Sequence, residues 1–558
     1  MPRRLLLLLF TLVACTPAPP VRVAPAPPPP PAPQLAATGT ASRVVLLSFD
    51  GLGADALASQ TDLPAFAAME RDGATARIIP VNPTVTASTH VSMVTGAQPQ
   101  VHGIVANRFH IEGTPPEQIA QGLETEIEAE TIVDAARRQG KRVGTVPFPA
   151  FDGSTPRRGG DFGMAWTGSL TRGRIVRLAR TDFHREWVPP TWTRRPQKRE
   201  SFSPIMRARI EWRIPERTRR DVDLVAYDTS NDAVENYDLL LIEAAEREIV
   251  PDSRGWFALS EEALEGLSGS WSKIVGPDPT LADVTLYWGP ISRTRAWPES
   301  FRTMLDREIG FWPGTPEERV DVDAATFIEQ AERLSDFLTR AQTLTIERMP
   351  FDLLLAYQSQ VDTTAHNYIH DPAAMRAAFA TADRAANAIR AALDASRDAL
   401  IVTGDHGVAP IDTEVRMNRL LAEHGFAPRW RAYVSGNVAH LYRFDGADDA
   451  EALLQTLTAS GHFEQLARRT AEMHPHSGDV VAVARPNVLL SAGSDAPAVA
   501  KPESSGSHGA SNAHRALHTV LFATGAGTPK GSHGEVSQTG IARFVAQLLG
   551  IQPPASAE

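Results

Sequence analysis

Asp362 and His366 lie four residues apart in QVDTTAH, so on a helix they would share one face and could converge on a single cation. Asp405 and His406 are adjacent in TGDHGV, where a loop flanked by Gly404 and Gly407 could turn both side chains inward. Asp50 follows an apolar run in LLSFDG, and His508 stands beside a glycine in GSHGASN. Singly, each has an ordinary explanation: an Asp after a strand is commonly a helix cap or turn former, and a lone DxxxH arises by chance. Together they form a set of carboxylates and imidazoles of the kind that holds two zinc ions. His514, His518 and His533 compete with His508 for the last place in that set. A second feature is NPTVTASTHVSMVTG, residues 82–96, which carries Thr84, Thr86, Ser88, Thr89, Ser92 and Thr95. It reads either as a turn with a capped helix or as the seat of a nucleophile. An alcohol attacks at neutral pH only with help, and a dication supplies it by stabilising the alkoxide. The residues alone leave open which hydroxyl that would be.

These groups need elements to carry them. Val44 to Phe49 is apolar apart from Ser48, as expected for a strand buried on both faces. Similar runs precede other motifs: residues 351–357 before QSQVDTTAH, 399–403 before GDHGV and 517–523 before TGAG. Amphipathic segments such as ATFIEQAERLSDFLTRAQTL and AAMRAAFATADRAANAIRAALDAS lie between them. The pattern predicts an α/β fold with a mainly parallel sheet sandwiched by helices, its functional groups beyond the carboxyl ends of the strands. Residues 172–320 show shorter alternating stretches such as MRARIEWRI, VDLVAYDT and VTLYWGP. They predict a β-rich insertion between two core parts, 42–171 and 321–558. A second variable stretch, residues 428–500, carries strands at WRAYVSG, AHLYRFDG and DVVAVARP.

Composition narrows the function. A net charge of −11 over 558 residues lacks the basic face of a protein that coats nucleic acid. The single cysteine, Cys15, excludes an internal disulfide, and no cysteine nucleophile or thiolate metal site is possible in the rest of the chain. It ends MPRRLLLLLFTLVAC, a basic head followed by an apolar run of about ten residues, too short to cross a bilayer but of signal-peptide length. Its last four residues resemble a bacterial lipobox. Residues 1–15 are therefore expected to be a lipoprotein signal peptide ending at a lipidated Cys15. Residues 16–41, with ten prolines, are expected to be an extended tether reaching up to ~80 Å. The expectation is an exported bacterial protein on the periplasmic or cell-surface side, held to a membrane by its lipid alone.

SFDGLGADAL, NPTVTASTHVSMVTGAQPQVHGIVANRF, QVDTTAH, TGDHGV and GSHGASN resemble, in this order, the signature segments of the alkaline phosphatase superfamily. The match is to its nucleotide pyrophosphatase/phosphodiesterase branch and covers most of residues 43–170 and 345–550. The resemblance implies one metal site of Asp362, His366 and His508 and a second of Asp50, Asp405 and His406. It implies that Thr86 is the nucleophile, contacting the second metal, and that Asn107 bonds a phosphoryl oxygen. Thr84, Ser88 and Thr89 would shape the turn and cap the helix, and His90 would be structural. Two divalent ions follow, zinc by this donor set, although manganese or iron would suit the same ligands. The implied reaction is in-line attack on a small phosphodiester or pyrophosphate, a phosphothreonine intermediate, and its hydrolysis.

The chain also departs from the family pattern. Ala87-Ser88-Thr89-His90 replaces an apolar residue and Pro-Asn-His. Ala510-Ser511 replaces an aromatic and an aspartate, so His533, in KGSHGEV, stands as the rival of His508 for the last ligand place. A phosphomonoesterase of the same superfamily is the alternative, with Arg157 and Arg158 as candidates for the cationic pair such enzymes use. PFPAFDG, in contrast, resembles the substrate-pocket segment of the diesterase branch. An alternative of another class is a non-catalytic surface lipoprotein that binds a ligand through the β-rich insertion.

Overall fold

The strand Arg43–Phe49 (β1) shows why this chain builds a two-faced sheet. Val44 and Leu46 enter one apolar core, while Val45, Leu47 and Phe49 enter another on the opposite face. Strand side chains alternate with period two, so an unbroken apolar run demands cover on both sides. A computed structural model describes residues 35–185, 199–215, 220–244, 247–263, 265–316, 322–446 and 448–557. Cys15 and the chain as far as residue 34 lie outside them.

Eight further strands complete the main sheet: Ala74–Ile79 (β2), Val143–Thr145 (β3), Phe162–Met164 (β4), Ala296–Trp297 (β5), Leu353–Gln358 (β6), Asp398–Gly404 (β7), Thr519–Gly525 (β8) and Gly531–Ser537 (β9). Their spatial order is β5-β4-β3-β6-β1-β7-β8-β2-β9. The five strands from β4 to β7 run parallel, so their carboxyl ends share one edge. β8 is antiparallel to both β7 and β2, and β5 is antiparallel to β4. The sheet is thus mainly parallel, as expected, but the apolar run before TGAG points the other way. Its start, rather than its end, lies at the functional edge.

Helices Thr86–Thr95, Ile132–Arg138 and Gly540–Leu549 cover one face. Helices Pro64–Asp72, Glu299–Glu308, Ala324–Arg348 and Pro372–Ala391 cover the other. Between β4 and β5 the chain leaves the sheet and forms two antiparallel sheets. One runs from Phe183–Arg185 through Met206–Trp212, Arg220–Tyr227 and Leu239–Ala244 to Arg247–Ile249, and the other joins Arg174–Leu178, Val284–Trp288, Gly266–Gly276 and Trp256–Ala263. Residues from both sheets, among them Trp212, Leu224, Phe257 and Leu286, share one core. The expected insertion extends to residue 320. The chain is back in the main sheet by Ala296, and Phe301 and Leu305 pack in its core, because a single amphipathic helix looks the same wherever it docks. A smaller four-stranded sheet, ordered Trp430–Ser435, Val438–Arg443, Val480–Ala484 and Phe463–Arg468, forms a separate core with helices Met417–Glu423 and Ala450–Ser460. Among the described residues no helix is long and apolar enough to cross a membrane.

Candidate active site

Three parallel strands deliver the carboxylates. Asp50 follows β1 directly, and Asp405 and His406 follow β7. Beyond β6 the helix Gln360–Tyr368 begins, with Asp362 in its first turn and His366 one turn later. His366 Nε2 lies 3.3 Å from Asp362 Oδ2, the shared face that the four-residue spacing predicted. His508 follows a short bridge, Gly506–Ser507, that pairs with Ala409–Pro410 just beyond His406. Its ring stacks on His406 at 3.7 Å between centroids, and its Nε2 is 3.7 Å from Asp362 Oδ1.

The donors interlock more than two separate triads would. Ligand atoms of Asp50, Asp405 and His406 all lie within 4.8 Å of one another, and so do those of Asp362, His406 and His508. His406 belongs to both sets, with Nε2 3.0 Å from Asp405 Oδ2 and 3.5 Å from Asp50 Oδ1. His366 stands at the rim, its Nδ1 2.9 Å from the Gly506 carbonyl oxygen. The rival histidines are elsewhere. His533 is on edge strand β9, three strands away from β7, while His514 pairs with Glu464 and His518 with the Asn512 carbonyl. The flanking glycines act differently from the expectation. Gly404 and Gly407 have no positive φ; a Cβ on Gly407 would sit 2.1 Å from the Ala516 carbonyl oxygen, so close packing is what requires them. Gly51 does need its positive φ of 71°, and its Cβ would meet the Asp362 backbone at 2.7 Å.

Charge is crowded here. Burial, then the nearby Asp405 and Asp362, hold the Asp50 carboxyl well above the usual range. Burial also opposes ionisation of Asp405 and Asp362, but the surrounding histidines bring both below that range. Burial would lower His406, yet Asp405 and Asp362 hold it above its ordinary value. His508, buried beside His406, is pushed down to about 3 and is neutral, as a metal-ligating imidazole must be. The Oδ1 atoms of Asp50 and Asp362 are buried with no hydrogen-bond partner. Two such oxygens among neutral or shared imidazoles are what a divalent cation would satisfy, so the residues present fit a metal centre.

Thr86 opens the helix Thr86–Thr95, and its Oγ1 is 3.4 Å from His406 Nε2. A helix N-terminus is a site for anions, since its first N–H groups and dipole face outward. Asn107 Oδ1 accepts from the Ala87 N–H at 2.8 Å, which fixes the side-chain amide beside Thr86. The other hydroxyls of the stretch are committed. Thr84 donates to the Ala510 carbonyl and accepts from Gly509 N–H, Ser88 donates to Ile104, Thr89 to Val85 and Thr95 to Val91, and Ser92 meets His102 Nε2. They shape the turn and brace the helix, but none caps it: the N-cap is Val85. His90 is wholly buried, its Nδ1 2.9 Å from the Thr86 carbonyl and its Nε2 3.0 Å from Ser48 Oγ. Sequence reasoning missed Tyr357, whose OH donates to Asp50 Oδ2 at 2.7 Å. A lone phenol ending the aliphatic run LLLAYQ was the available signal.

Comparison with known proteins settles the lineage. The family model for type I phosphodiesterase / nucleotide pyrophosphatase matches residues 44–246 and 270–511. The chain belongs to this family. It is accordingly a phosphoric ester hydrolase of the phosphodiesterase/nucleotide pyrophosphatase type, and the family is metal-dependent and acts on small nucleotide or phosphate-ester substrates. Human ectonucleotide pyrophosphatase/phosphodiesterase 5 has a similar fold, with a TM-score of 0.50 at 15% identity over 92% of this chain and 96% of that one. The murine counterpart, solved as an inactive threonine-to-alanine variant in complex with AMP, gives 0.50 at 14% identity over the same shares. No curated protein sequence matches this chain.

Proposed function

We propose that this phosphodiesterase-family chain cleaves phosphodiester or pyrophosphate bonds of small substrates with Thr86 as nucleophile, through a covalent phosphothreonine. The observation that carries this is the position of Thr86 Oγ1: at a helix N-terminus, 3.4 Å from His406 and beside the anchored amide of Asn107. Asp362, His366 and His508 would hold one divalent ion, and Asp50, Asp405 and His406 the other, both taken as zinc from the donor set. When bound, the ions supply Lewis-acid charge that lowers the pKa of the Thr86 hydroxyl and neutralises phosphoryl oxygens.

The chain's own groups do the rest. The Asn107 amide donates to a non-bridging phosphoryl oxygen while its carbonyl stays on Ala87 N–H, so the donor is oriented before substrate arrives. The helix N-terminus stabilises the same developing charge. Burial pushes the His90 imidazole below its ordinary value, and its Nδ1, against the Thr86 carbonyl and 3.4 Å from Asp405 Oδ2, would brace the first turn of the helix. A monoesterase would need free cations near the phosphate. Arg157 is paired with Glu126, and Arg158 with Asp152 and the carbonyls of Leu123 and Thr125, which favours the diesterase reading. The AMP held by the murine neighbour is in keeping with a nucleotide substrate.

The test compares a diester and a monoester of one chromogenic phenol, using zinc-loaded protein and the Thr86→Ala variant. Faster diester cleavage, lost in the variant, is expected. A monoester preference would move the function to a phosphatase, and no turnover with metal bound would favour the ligand-binding alternative. For location, the proposal is an exported lipoprotein anchored through Cys15. Cys15→Ala should leave membranes for the soluble fraction, and retention on membranes would refute the anchor.

A further inference from the structure

We propose that Tyr357 is a positioning residue for the metal centre, acting through Asp50; the inference rests on the function proposed above. Tyr357 is the fifth residue of β6, paired with Ser48 of β1 in parallel register, so its phenol reaches past Ser48 to the carboxylate two residues on. Its OH donates to Asp50 Oδ2 at 2.7 Å. That bond occupies one oxygen and leaves Oδ1, buried and without a partner, turned toward His406 Nε2 at 3.5 Å. The phenol thereby decides which carboxylate oxygen faces the ion.

The ring is itself held. It meets the His90 ring edge-on at 5.5 Å, and His90 is bonded to Ser48 Oγ and to the carbonyl of Thr86. One buried layer therefore fixes both the Asp50 rotamer and the first turn of the nucleophile helix. Partners of this kind, which touch a ligand but not the metal, commonly contribute 10- to 100-fold in metal affinity. Burying Asp50 is costly, and within this layer Tyr357 supplies the hydrogen bond that offsets part of the cost.

Tyr357→Phe removes the hydroxyl and keeps the ring packing, so it isolates this bond. The full-length chain, stripped of metal, is titrated with Zn2+ against a chromophoric chelator, and bound zinc is counted directly. Wild type is expected to take two equivalents. In the variant one of the two should weaken by about 10- to 100-fold while the other is unchanged, and excess zinc should restore turnover. Two equivalents within about twofold of wild type would overturn the positioning role on that scale of effect. Loss of both equivalents together with a lowered Tm would overturn it in favour of a purely structural one. A wild-type chain that takes no zinc would overturn the proposed metal chemistry as well, and is distinguished because the defect precedes any substitution.

Discussion

Asn107 offers a perturbation that separates its observed contact from its proposed one. Its carbonyl oxygen accepts from Ala87 N–H at 2.8 Å, while its NH2 is the donor proposed for the phosphoryl oxygen. Asn107→Ala removes both. Asn107→Asp keeps an acceptor for Ala87 but replaces the donor with a carboxylate, beside a centre that already holds Asp50, Asp362 and Asp405. Losing one preorganised donor to a developing oxyanion typically costs about 10²- to 10³-fold in kcat, or roughly 2.7–4 kcal/mol. Asn107→Ala should fall in that range. Asn107→Asp should fall at least as far, because the new charge repels the phosphoryl group as well as failing to donate to it. The assay is steady-state cleavage of a chromogenic diester at saturating zinc, with Tm confirming that both variants fold. If Asn107 only braced the helix, the aspartate variant would retain most activity, and kcat within about threefold of wild type would refute the donor role assigned here.

Acid should destabilise the fold through two buried histidines outside the centre. Burial pushes His102 down to about 3 and His440 down to about 4. Above the unfolded value near 6.5 both states are neutral and stability is full; as pH falls below it only the unfolded chain takes up protons. From about pH 7.5 to about pH 5 each ring should therefore remove about 2 kcal/mol, seen as a falling Tm. Labelled-histidine NMR should find both rings still neutral at the lower pH, and rings that titrate near their ordinary value would contradict the account. Gly51→Ala puts a Cβ 2.7 Å from the Asp362 backbone at a φ of 71°. It should cost at least about 1–2 kcal/mol of stability and deplete bound zinc, and an unchanged Tm and zinc content would contradict the packing argument.

The centre of the sheet was legible because four of its strands, β1, β6, β7 and β8, are short apolar runs buried on both faces, whereas the polar edge strand Gly531–Ser537 carries no such pattern. Direction was not legible: an apolar run has no polarity, so Thr519–Gly525 gave no sign that it is antiparallel. For the same reason nothing in Ala296–Trp297 announces a return to the sheet. Asp362 and His366 could be paired from helix geometry alone, since four residues make one turn. The sharing of His406 between two donor sets could not, because it depends on a loop packed through Gly407 against Ala516. Choosing Thr86 among six hydroxyls needed the family resemblance. In the fold the other five hydroxyls bond backbone carbonyls or His102, Thr89 reaching Asp405 as well, while the recorded partner of Thr86 is His406 at the helix N-terminus. Tyr357 escaped notice because a phenol in a buried strand reads as core until its partner across the sheet is known.

In the proposed reaction phosphorus is attacked twice in line, first by Thr86 and then by water. Each in-line displacement inverts the configuration, so the stereochemical course counts them. The measurement is hydrolysis of a diester made chiral at phosphorus by oxygen isotopes and sulfur, with the configuration of the product determined by NMR. Net retention is expected. Net inversion would mean a single direct attack by water and would remove Thr86 from its role as nucleophile.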